Sequence, residues 1–568
     1  MRMTPSLSPP VAISRSNMDD AILATKKPWL GILGLAAIKH SIIALYLSTL
    51  ALLYITQDAA EKRAGYIYNP NNVALVFFLI GCIHIGSILQ IYWTLCCKSK
   101  RRRPPPLSKR SSSRQIRPST ADRTQSFSGM SSNYNWIILF NLVEIVSQSN
   151  EAIEFAATVA DQTITFSSLS LSCLIHLFAL LVPLLRYKFV NSNVAKDPAW
   201  LTKFLLYIQH NTVSSSVDFA AKTILQLGSV VTLWRLEASL AMTTEISPPS
   251  VSTERVRRAL VIYLACSVLW GVGLFGSLLQ ALWIRQPCPP TCQAALMNLW
   301  DSTCQCMFVH VNCVQTNSQD VDSALQTSQL GVKLYAIQVS QCDLVDGIAN
   351  ATLHQFPALS YVSIQFTKTK AWDGQLPNSI SFFTASDNMF ATVPAILDRE
   401  LPPSLVTMRF THQPMALPLV LPKTWNVASK LELTNVSFSP ATNFSTFSLV
   451  ALGLAFNNLT QLPTASMASM ASLAGVDLSG NALPSVPWNL LAKGVPVLLC
   501  GNPLRDANRP ELLQTYQTSA AKYCEPLCAP HCFPYMVGNY NCNLACFNAA
   551  CRYDGGDCHA FELSISSS

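Results

Sequence analysis

Residues 449–459 read LVALGLAFNNL, and residues 473–483 repeat the same arrangement as LAGVDLSGNAL. Both fit L-x-x-L-x-L-x-x-N-x-L, and their starts at 449 and 473 are 24 residues apart. Each is followed by an apolar residue and a proline, Leu462-Pro463 and Val486-Pro487. A pattern that returns at this interval predicts a stack of similar coils, each burying its apolar face against the next.

Weaker copies extend this pattern on both sides. They lie at 359–367, 380–390, 405–415 and 428–438, and a last copy reads VPVLLCGNPL at 495–504. The starts are separated by 21 to 25 residues, so the stack has about five to eight coils. The pattern resembles leucine-rich repeats, which implies a solenoid with one short strand per coil. We expect Asn457 and Asn481 to bond backbone groups of neighbouring coils.

The last cysteines form a second pattern. From Cys528 their spacing is C-x3-C-x9-C-x3-C-x4-C-x6-C, and residues 541–558 read NCNLACFNAACRYDGGDC. This stretch closely resembles the LNR module of the Notch receptor family. The resemblance implies three disulfides, Cys528–Cys551, Cys532–Cys546 and Cys542–Cys558. It also implies one Ca²⁺ ion, held by Asp554, Asp557, the side chain of Asn539 and backbone oxygens near Asn541 and Leu544.

Elementary chemistry agrees with a calcium-binding module. Calcium prefers oxygen ligands in a flexible loop, and two glycines lie between Asp554 and Asp557. A segment of roughly 30 residues buries too little apolar surface to fold without disulfides or a metal. Zinc on the thiols is disfavoured because cysteines of an exterior module oxidise to disulfides. A plain disulfide knot without calcium stays an alternative.

The remaining signals indicate an extracellular C-terminal half. Fourteen of the 19 cysteines lie from Cys288 onward, an even number as full pairing requires. CQCMFVHVNC at 304–313 resembles the cysteine cap before extracellular leucine-rich repeats, and Cys500 with Cys524 resembles the closing cap, so we expect the pair Cys500–Cys524. The six cysteines from Cys288 to Cys342 allow 15 connectivities. The same half holds four N-x-[ST] glycosylation sequons, at Asn350, Asn435, Asn443 and Asn458.

The first half reads as a membrane region. Half of the chain is apolar and 12% is charged, against about 25% in soluble domains. Four segments are long and apolar enough to span a bilayer: 29–54, 72–97, 164–185 and 259–284. Within them lie Lys39, His40, His84 and His176. Lys39 is expected to pair with a glutamate such as Glu144, although intramembrane ionisable groups are also functional candidates.

Two further segments, 134–158 and 201–234, are apolar but carry charges. The basic loop 98–133 should be cytoplasmic and the sequons outside, so an odd number of crossings separates them. One of the two segments must therefore cross, which gives five spans in total. If 134–158 crosses, all of 186–258 is cytoplasmic, which the charge rule favours because this stretch includes Arg186, Lys188, Lys196, Arg235, Arg255, Arg257 and Arg258. If 201–234 crosses, Arg186, Lys188 and Lys196 lie outside.

The positive charge of the chain is local. Residues 98–133 carry ten Lys or Arg and one acid, a net +9, so the rest carries 8 − 9 = −1. Nucleic acid is therefore not an expected partner. The loop is Pro- and Ser-rich, a composition typical of disorder, and directly after a span it suits binding to anionic membrane lipid.

The sequence thus predicts an α-helical polytopic domain followed by an extracellular solenoid and a small disulfide-rich module. The predicted boundaries are a cytoplasmic tail at 1–28, two transmembrane helices at 29–97, the basic loop at 98–133, three further transmembrane helices with an amphipathic segment at 134–284, a Cys-rich cap at 285–345, the repeats with their closing cap at 346–524, the LNR-like module at 525–560 and a tail at 561–568.

The predicted function is recognition at the plasma membrane. The repeats would bind an extracellular protein or glycan, because stacked coils form an extended binding surface. No nucleophile elbow, kinase signature, HExxH or phosphate loop is present in the sequence, so an enzyme is not expected. The alternative is a transporter or channel with an accessory ectodomain.

Overall fold

The computed structural model describes residues 15–57, 67–100, 181–190, 197–242, 286–296, 301–505 and 509–561, with isolated residues at 62, at 194, and from 262 to 284. The chain divides into two compact units. The first comprises Met1–Ile55, Asn71–Ser149 and Ser216–Val272, and the second comprises Thr56–Pro70, Asn150–Ser215 and Gly273–Ser568.

Among the described residues, four longer helices precede the strands. They are α1 (Arg15–Thr56), α2 (Pro70–Lys100), α3 (Pro198–Asn211) and α4 (Ser216–Met242), and a π-helical turn occupies Arg186–Val190. Within the described residues, Ala36–Thr56 of α1 and Pro70–Trp93 of α2 are long and apolar enough to cross a membrane. These two segments correspond to the predicted spans 29–54 and 72–97.

Helices α1 and α2 pack closely in the first unit. A Cβ added to Gly81 would lie 3.6 Å from Ser48 Oγ, and Tyr54 meets the edge of Phe77 with 6.2 Å between ring centroids. Trp234 of α4 donates to Ser87 Oγ of α2 over 2.6 Å. Large apolar side chains nevertheless stay exposed on α1 and α2, among them Ile38, Leu45, Leu52, Leu75, Phe78, Leu89 and Trp93.

The ambiguous segment 201–234 is divided between two helices, α3 and α4. Asp197 caps α3 by accepting from the backbone N–H of Ala199, and the helix stops at Asn211. Thr212 is extended, and α4 starts afresh at Ser216. The break falls at residues 212–215, which read Thr-Val-Ser-Ser. β-branched side chains and serines both disfavour a helix, so this sequence favours an interruption. The segment 134–158 and residues 164–180 lie outside the described residues, whereas those described between 262 and 283 are helical.

Ten strands form one sheet whose spatial order equals the chain order. They are β1 (Cys292–Ala295), β2 (Cys306–Asn312), β3 (Ala336–Ser340), β4 (Tyr361–Gln365), β5 (Phe382–Ser386), β6 (Thr407–Thr411), β7 (Lys430–Glu432), β8 (Ala451–Gly453), β9 (Gly475–Asp477) and β10 (Val497–Leu498). Strand β1 is antiparallel to β2, and all other neighbours are parallel.

The parallel strands stack in register with one apolar row facing the core. The row runs through Val309, Ile337, Val362, Phe383, Met408, Leu431, Leu452, Val476 and Val497. Side chains alternate along a strand, so the residues between these point to the other side of the sheet. We call that side the strand face. One of its rows runs through Gln338, Ser363, Thr384, Arg409, Glu432, Gly453 and Asp477.

Short helices connect the strands. They are α5 (Cys313–Thr316), α6 (Val321–Ala324), α7 (Thr327–Leu330), α8 (Asn350–His354), α9 (Ala395–Asp398), α10 (Thr464–Ala468) and α11 (Trp488–Leu491), with a 3-10 turn at Lys423–Val427 and the longer helix α12 (Pro510–Cys524) after the last strand. The parallel stack reaches further towards the N-terminus than the repeats found in the sequence. Strands β2 and β3 lie inside 285–345, which the sequence assigns only to a cysteine-rich cap.

Helix α3 packs on the strand face at the first coils. Leu206 of α3 shares a buried cluster with Phe308, Ala336 and Tyr361, which lie side by side on β2, β3 and β4. The turn after α3 is buried too, and Val213 accepts a hydrogen bond from the backbone N–H of Tyr68 over 2.8 Å. In the second unit, the segments around Tyr68, α3 and the strands thus form one packed body.

The predicted asparagine ladder is present. Asn481 Oδ1 accepts from the backbone N–H groups of Asn457 and Leu459, at 2.9 and 3.0 Å, and its Nδ2 donates to the carbonyls of Leu454 and Leu478. Asn457 bonds the preceding coil in the same way. Each buried amide therefore satisfies backbone groups that the interior of the stack would leave unpaired.

Replacing Asn481 with leucine is expected to destabilise the stack by about 3 kcal/mol, because several buried backbone groups lose their partners together. Proteolysis of the full chain in increasing urea measures the loss. Asn378→Leu, at an exposed asparagine, is the matched control and should change the midpoint little. Equal midpoints for the two variants would contradict a structural role of the ladder.

Candidate functional site

The C-terminal module consists of 3-10 turns held by disulfides. The turns are Pro534–Met536, Leu544–Cys546, Ala549–Cys551, Asp554–Gly556 and His559–Phe561. The disulfides of the module are Cys528–Cys551, Cys532–Cys546 and Cys542–Cys558. These are the pairs that the resemblance implies. Upstream, the structure pairs Cys500–Cys524, Cys288–Cys304, Cys292–Cys306 and Cys313–Cys342.

The two predicted acidic ligands face one loop. Asp554 is fully buried, and its Oδ2 accepts from the backbone N–H of Asn543 over 2.6 Å. Its other oxygen, Oδ1, has no hydrogen-bond partner among the described residues. Asp557 Oδ2 accepts from the backbone N–H of Tyr540 over 2.8 Å. A buried carboxylate oxygen without a partner is costly unless a cation faces it.

Electrostatics at Asp554 favour a cation as well. Burial raises the pKa of Asp554 to about 7, the bond from Asn543 opposes that rise, and the nearby charge of Asp557 adds to it. The backbone wraps tightly here, since Gly555 has a φ of +63° and an added Cβ would lie 2.8 Å from Gly538. A divalent ion would stabilise both carboxylates in this tight loop. The residues present therefore fit a Ca²⁺ ion.

The other predicted ligands lie in the same loop. Asn539 is buried, and its Oδ1 accepts from the backbone N–H of Asn541 and from Asn543 Nδ2, at 2.9 and 3.1 Å. The carbonyl of Asn541 also accepts from Asn543 Nδ2. Leu544 has a half-exposed side chain and offers a carbonyl, which accepts from Phe547 N–H. Sequence reasoning missed Asn543, whose side chain joins these oxygens.

The sulfur atoms of Cys528, Cys532 and Cys551 lie within 4.8 Å of one another, as in a metal cluster. Each of them belongs to a disulfide, however. Zinc needs thiolates, so these three residues offer it no ligands in this oxidised form.

The module contacts the strand face through a polar link that the sequence did not indicate. Arg409 on β6 donates to Asn541 Oδ1 of the module over 2.7 Å and, through Nε, to Glu432 Oε2 on β7 over 2.7 Å. The Arg409 side chain is only 14% exposed. Asn541 thus belongs to the candidate calcium loop and is also a partner of a buried cation on the sheet.

A second polar contact and several aromatic contacts lie beside it. The hydroxyl of Tyr535 donates to Asp477 Oδ2 on β9 over 3.1 Å, and burial raises the pKa of Asp477. Phe533 stacks on Phe456, with 5.9 Å between ring centroids. At the far end of the module, Phe561 meets Phe366, which follows β4. The module therefore covers part of the strand face.

The four predicted glycosylation asparagines lie on the stack. Asn350 begins α8, Asn435 and Asn458 follow β7 and β8, and Asn443 lies in the loop between those strands. All four are exposed, so each is sterically accessible to a glycosyltransferase.

His412 and Asp387, which directly follow β6 and β5, form an ion pair with 3.4 Å between Nδ1 and Oδ2. Burial alone would lower the pKa of His412, but the hydrogen bond and charge of Asp387 outweigh it and raise that pKa, with a smaller effect of Glu432. A raised folded pKa stabilises the protein below pH ~6.5, and this is lost as pH rises through the folded value.

We therefore expect Asp387→Asn to remove a pH-dependent part of the stability. The difference from wild type should be about 0.5–1 kcal/mol at pH 6 and should shrink towards pH 8.5. Urea midpoints of the full chain at the two pH values measure it. Asp398→Asn, at an exposed acid, should leave the profile unchanged. A difference that grows with pH would contradict the pair.

Two histidines of the first unit meet as well. His40 on α1 and His84 on α2 are fully buried, with 2.6 Å between their Nδ1 atoms. His84 Nε2 has no hydrogen-bond partner among the residues that the structure describes. Their contact could not be predicted from the sequence, because the two histidines are 44 residues apart and lie on different helices. Glu144, the predicted partner of Lys39, and His176 lie outside the described residues.

Comparison with known proteins identifies one part of the chain. The family model of the LNR domain of Notch matches residues 522–559. No curated protein matches the chain. The chain therefore carries a disulfide-bonded LNR domain, and a domain of this kind indicates an extracellular region.

Proposed function

We propose that the protein is a non-enzymatic recognition protein of the plasma membrane. In this proposal, a leucine-rich-repeat solenoid binds an extracellular protein or glycan, and a calcium-stabilised LNR module regulates that surface. The observation that carries the proposal is the stack of parallel strands that ends in an LNR domain. Stacked coils present an extended surface, which suits the recognition of another macromolecule.

Several features support the leucine-rich-repeat interpretation. Equivalent core residues recur every 21 to 28 residues between Val309 and Val497. Asn457, Asn481 and Asn502 bond neighbouring coils at the same phase. Disulfides lie at both ends of the stack, where solenoids need caps. The strand face is the surface that we propose for the ligand, and part of it lies beneath α3 and the module.

Surface proximity labelling of the full chain tests the ligand-binding proposal. Lys430→Glu changes a half-buried charge on the strand face, and Lys423→Glu makes the same change in an exposed turn. A specific partner should be enriched by the wild type and by Lys423→Glu and should be lost with Lys430→Glu. If no partner is enriched with or without calcium, the recognition function is wrong.

We propose that Asp554, Asp557 and Asn539 hold a Ca²⁺ ion, together with backbone oxygens near Asn541 and Leu544. The ion would supply positive charge between carboxylates that otherwise repel each other. The buried and unpartnered Oδ1 of Asp554 supports this assignment. Binding to a site that the unfolded chain lacks contributes directly to folding.

We also propose that the chain crosses the membrane five times with residues 288–568 outside. The exposed apolar surface of α1 and α2 supports insertion into lipid, and the loop 98–133 suits anionic lipid on the cytoplasmic side. Because α3 packs with the strands, α3 lies on their side of the membrane. The chain then crosses the membrane outwards through 164–185, inwards through α4 and outwards again through 259–284. In this topology 134–158 does not cross, and α4, which is less apolar than the spans of α1 and α2, crosses while packed against α2 through Trp234.

Glycan mapping should distinguish the two topologies. A sequon inserted after Ser214, in the turn between α3 and α4, is expected to be glycosylated, whereas one inserted in 98–133 is not. Enzymatic removal of glycans should also lower the mass of the unmodified chain, because its four sequons are exposed. If the inserted sequon at the turn stays unglycosylated while the native sequons carry glycans, segment 134–158 crosses the membrane instead of α4.

The histidine pair supports a second candidate function, the transport of a proton or cation. An unpartnered imidazole nitrogen between apolar helices is expensive and is usually retained for function. Flux measured in proteoliposomes tests it with His84→Phe and with the matched aromatic change Tyr92→Phe at an exposed position of α2. Flux abolished by the first variant alone would favour transport, and absence of flux in wild type would eliminate it.

A further inference from the structure

We propose that calcium binding and closure of the module over the strand face are energetically coupled through Asn541 and Arg409. In this view, calcium holds the module on β6, β7 and β9, and its removal releases the module and exposes those strands. The inference rests on the proposed function in two respects: the loop binds calcium, and the strand face is the recognition surface.

Asn541 is the residue that both sites share. Its side-chain Oδ1 accepts from Arg409 on the sheet. Its backbone N–H donates to Asn539 Oδ1, and its carbonyl accepts from Asn543 Nδ2. Asn543 in turn donates its backbone N–H to Asp554. A chain of bonds of 2.6–2.9 Å therefore joins the buried carboxylate to the guanidinium of β6.

Arg409 has little freedom to change partner. It is largely buried and is held by Glu432 on the neighbouring strand. A buried cation needs fixed acceptors, because burial withdraws the water that would solvate it. Only a loop in the right conformation brings Asn541 Oδ1 to 2.7 Å from Arg409 Nη1. Disorder of the calcium loop thus removes an acceptor from Arg409, and loss of Arg409 frees the loop.

The remaining contacts suit a module that moves as one body. Tyr535 and Phe533 bind Asp477 and Phe456 from one short segment, which the disulfide Cys532–Cys546 fixes to the rest of the module. The disulfide Cys500–Cys524, which closes the stack, lies in the same buried apolar cluster as Phe533 and Met536 of the module. Residues 525–527 between that disulfide and the module are exposed. Release of the module would therefore expose this shared cluster as well as the polar contacts on the strand face.

Thermodynamic reciprocity gives the test. If calcium favours closure, any change that weakens closure must weaken calcium binding by the same factor. Arg409→Met removes the strand-face partner of Asn541 and leaves the sequence of the module unchanged. The matched control is Arg399→Met, which removes an exposed arginine from the turn after α9.

The experiment titrates calcium into the detergent-solubilised full chain and follows carbodiimide labelling of Asp477, with exposed Asp398 as the internal reference. Wild type and Arg399→Met should show protection of Asp477 at the same calcium concentration. Arg409→Met should need about tenfold more calcium, corresponding to a coupling of about 1.4 kcal/mol. Asn541→Ala should need a similar increase in calcium. The double variant with Arg409→Met should need little more calcium than either single variant.

A second readout keeps the outcomes separate. Tryptic cleavage after Arg552, detected on reduced gels, reports whether the module itself is folded. If calcium protects Arg552 at the same concentration in wild type and Arg409→Met, the coupling is wrong and the calcium site stands. If calcium protects neither Arg552 nor Asp477 in wild type, the calcium assignment itself is wrong. Protection of Arg552 without protection of Asp477 would also overturn the coupling.

Discussion

Asp554→Ala is expected to abolish native disulfide pairing in the LNR domain and to lower the surface level of the protein at least several-fold, even in excess calcium. The variant loses a buried carboxylate that accepts from Asn543 N–H over 2.6 Å. It also loses Oδ1, which has no hydrogen-bond partner among the described residues and would face the proposed ion. The core of the domain is too small to compensate, so under the proposed calcium assignment its folding depends on the disulfides and the metal together.

Mass spectrometry of non-reduced digests measures this effect directly. The peptide that joins Cys542 to Cys558 should disappear first, because this disulfide ends one residue after Asp557. Asp557→Ala should scramble the pairs as well, whereas Asp398→Ala, at an exposed acid outside the domain, should leave them intact. Native pairing in Asp554→Ala expressed under calcium depletion would refute the calcium assignment and leave a plain disulfide knot.

Gly480→Ala is expected to destabilise the stack by about 3 kcal/mol, which combines a left-handed backbone cost with overpacking. Gly480 has a φ of +69°, and an added Cβ would lie 2.3 Å from the ring of Phe456. That ring stacks on Phe533 of the module, so it is confined on its other side. The substitution should therefore strain the last coils and the module contact together.

Gly475→Ala is the matched control for this prediction. Its added Cβ would meet nothing within 4 Å, and its φ lies outside the left-handed region. Urea-dependent proteolysis of the full chain should show a lowered midpoint for Gly480→Ala and no loss for Gly475→Ala. Equal stability of the two variants would mean that Phe456 has room to move and that the contact with Phe533 is loose.

Local patterns were sufficient to predict the later coils. L-x-L specifies alternating burial within one strand, and Asn457 and Asn481 bond groups of adjacent coils, so the signal repeats at a fixed interval. The first two parallel strands escaped detection because β2 and β3 lie in a cysteine-rich segment. The step from Val309 to Ile337 is also 28 residues, longer than the intervals of 21 to 25 found in the sequence.

Contacts between distant segments had no sequence signal. Arg409 and Asn541 are 132 residues apart, and each looks like an ordinary surface residue of its own motif. The same holds for Leu206, which packs on β3 and β4 although charge counting places it on the cytoplasmic side. Tertiary packing determines the positions of these residues, and such packing cannot be predicted from the periodicity or composition of the sequence.

The two ends of the sheet bear on self-association. Parallel sheets end in open edges, which template the addition of further chains. Here β1 runs against β2 and is fastened to it by Cys292–Cys306. At the other end, the hydroxyl of Tyr516 in α12 donates to the carbonyl of Val497 on the last strand. Strand β1 is short and irregular in its register against β2, and α12 occupies a carbonyl of β10, so both ends of the sheet carry features that hinder edge-to-edge addition of another chain.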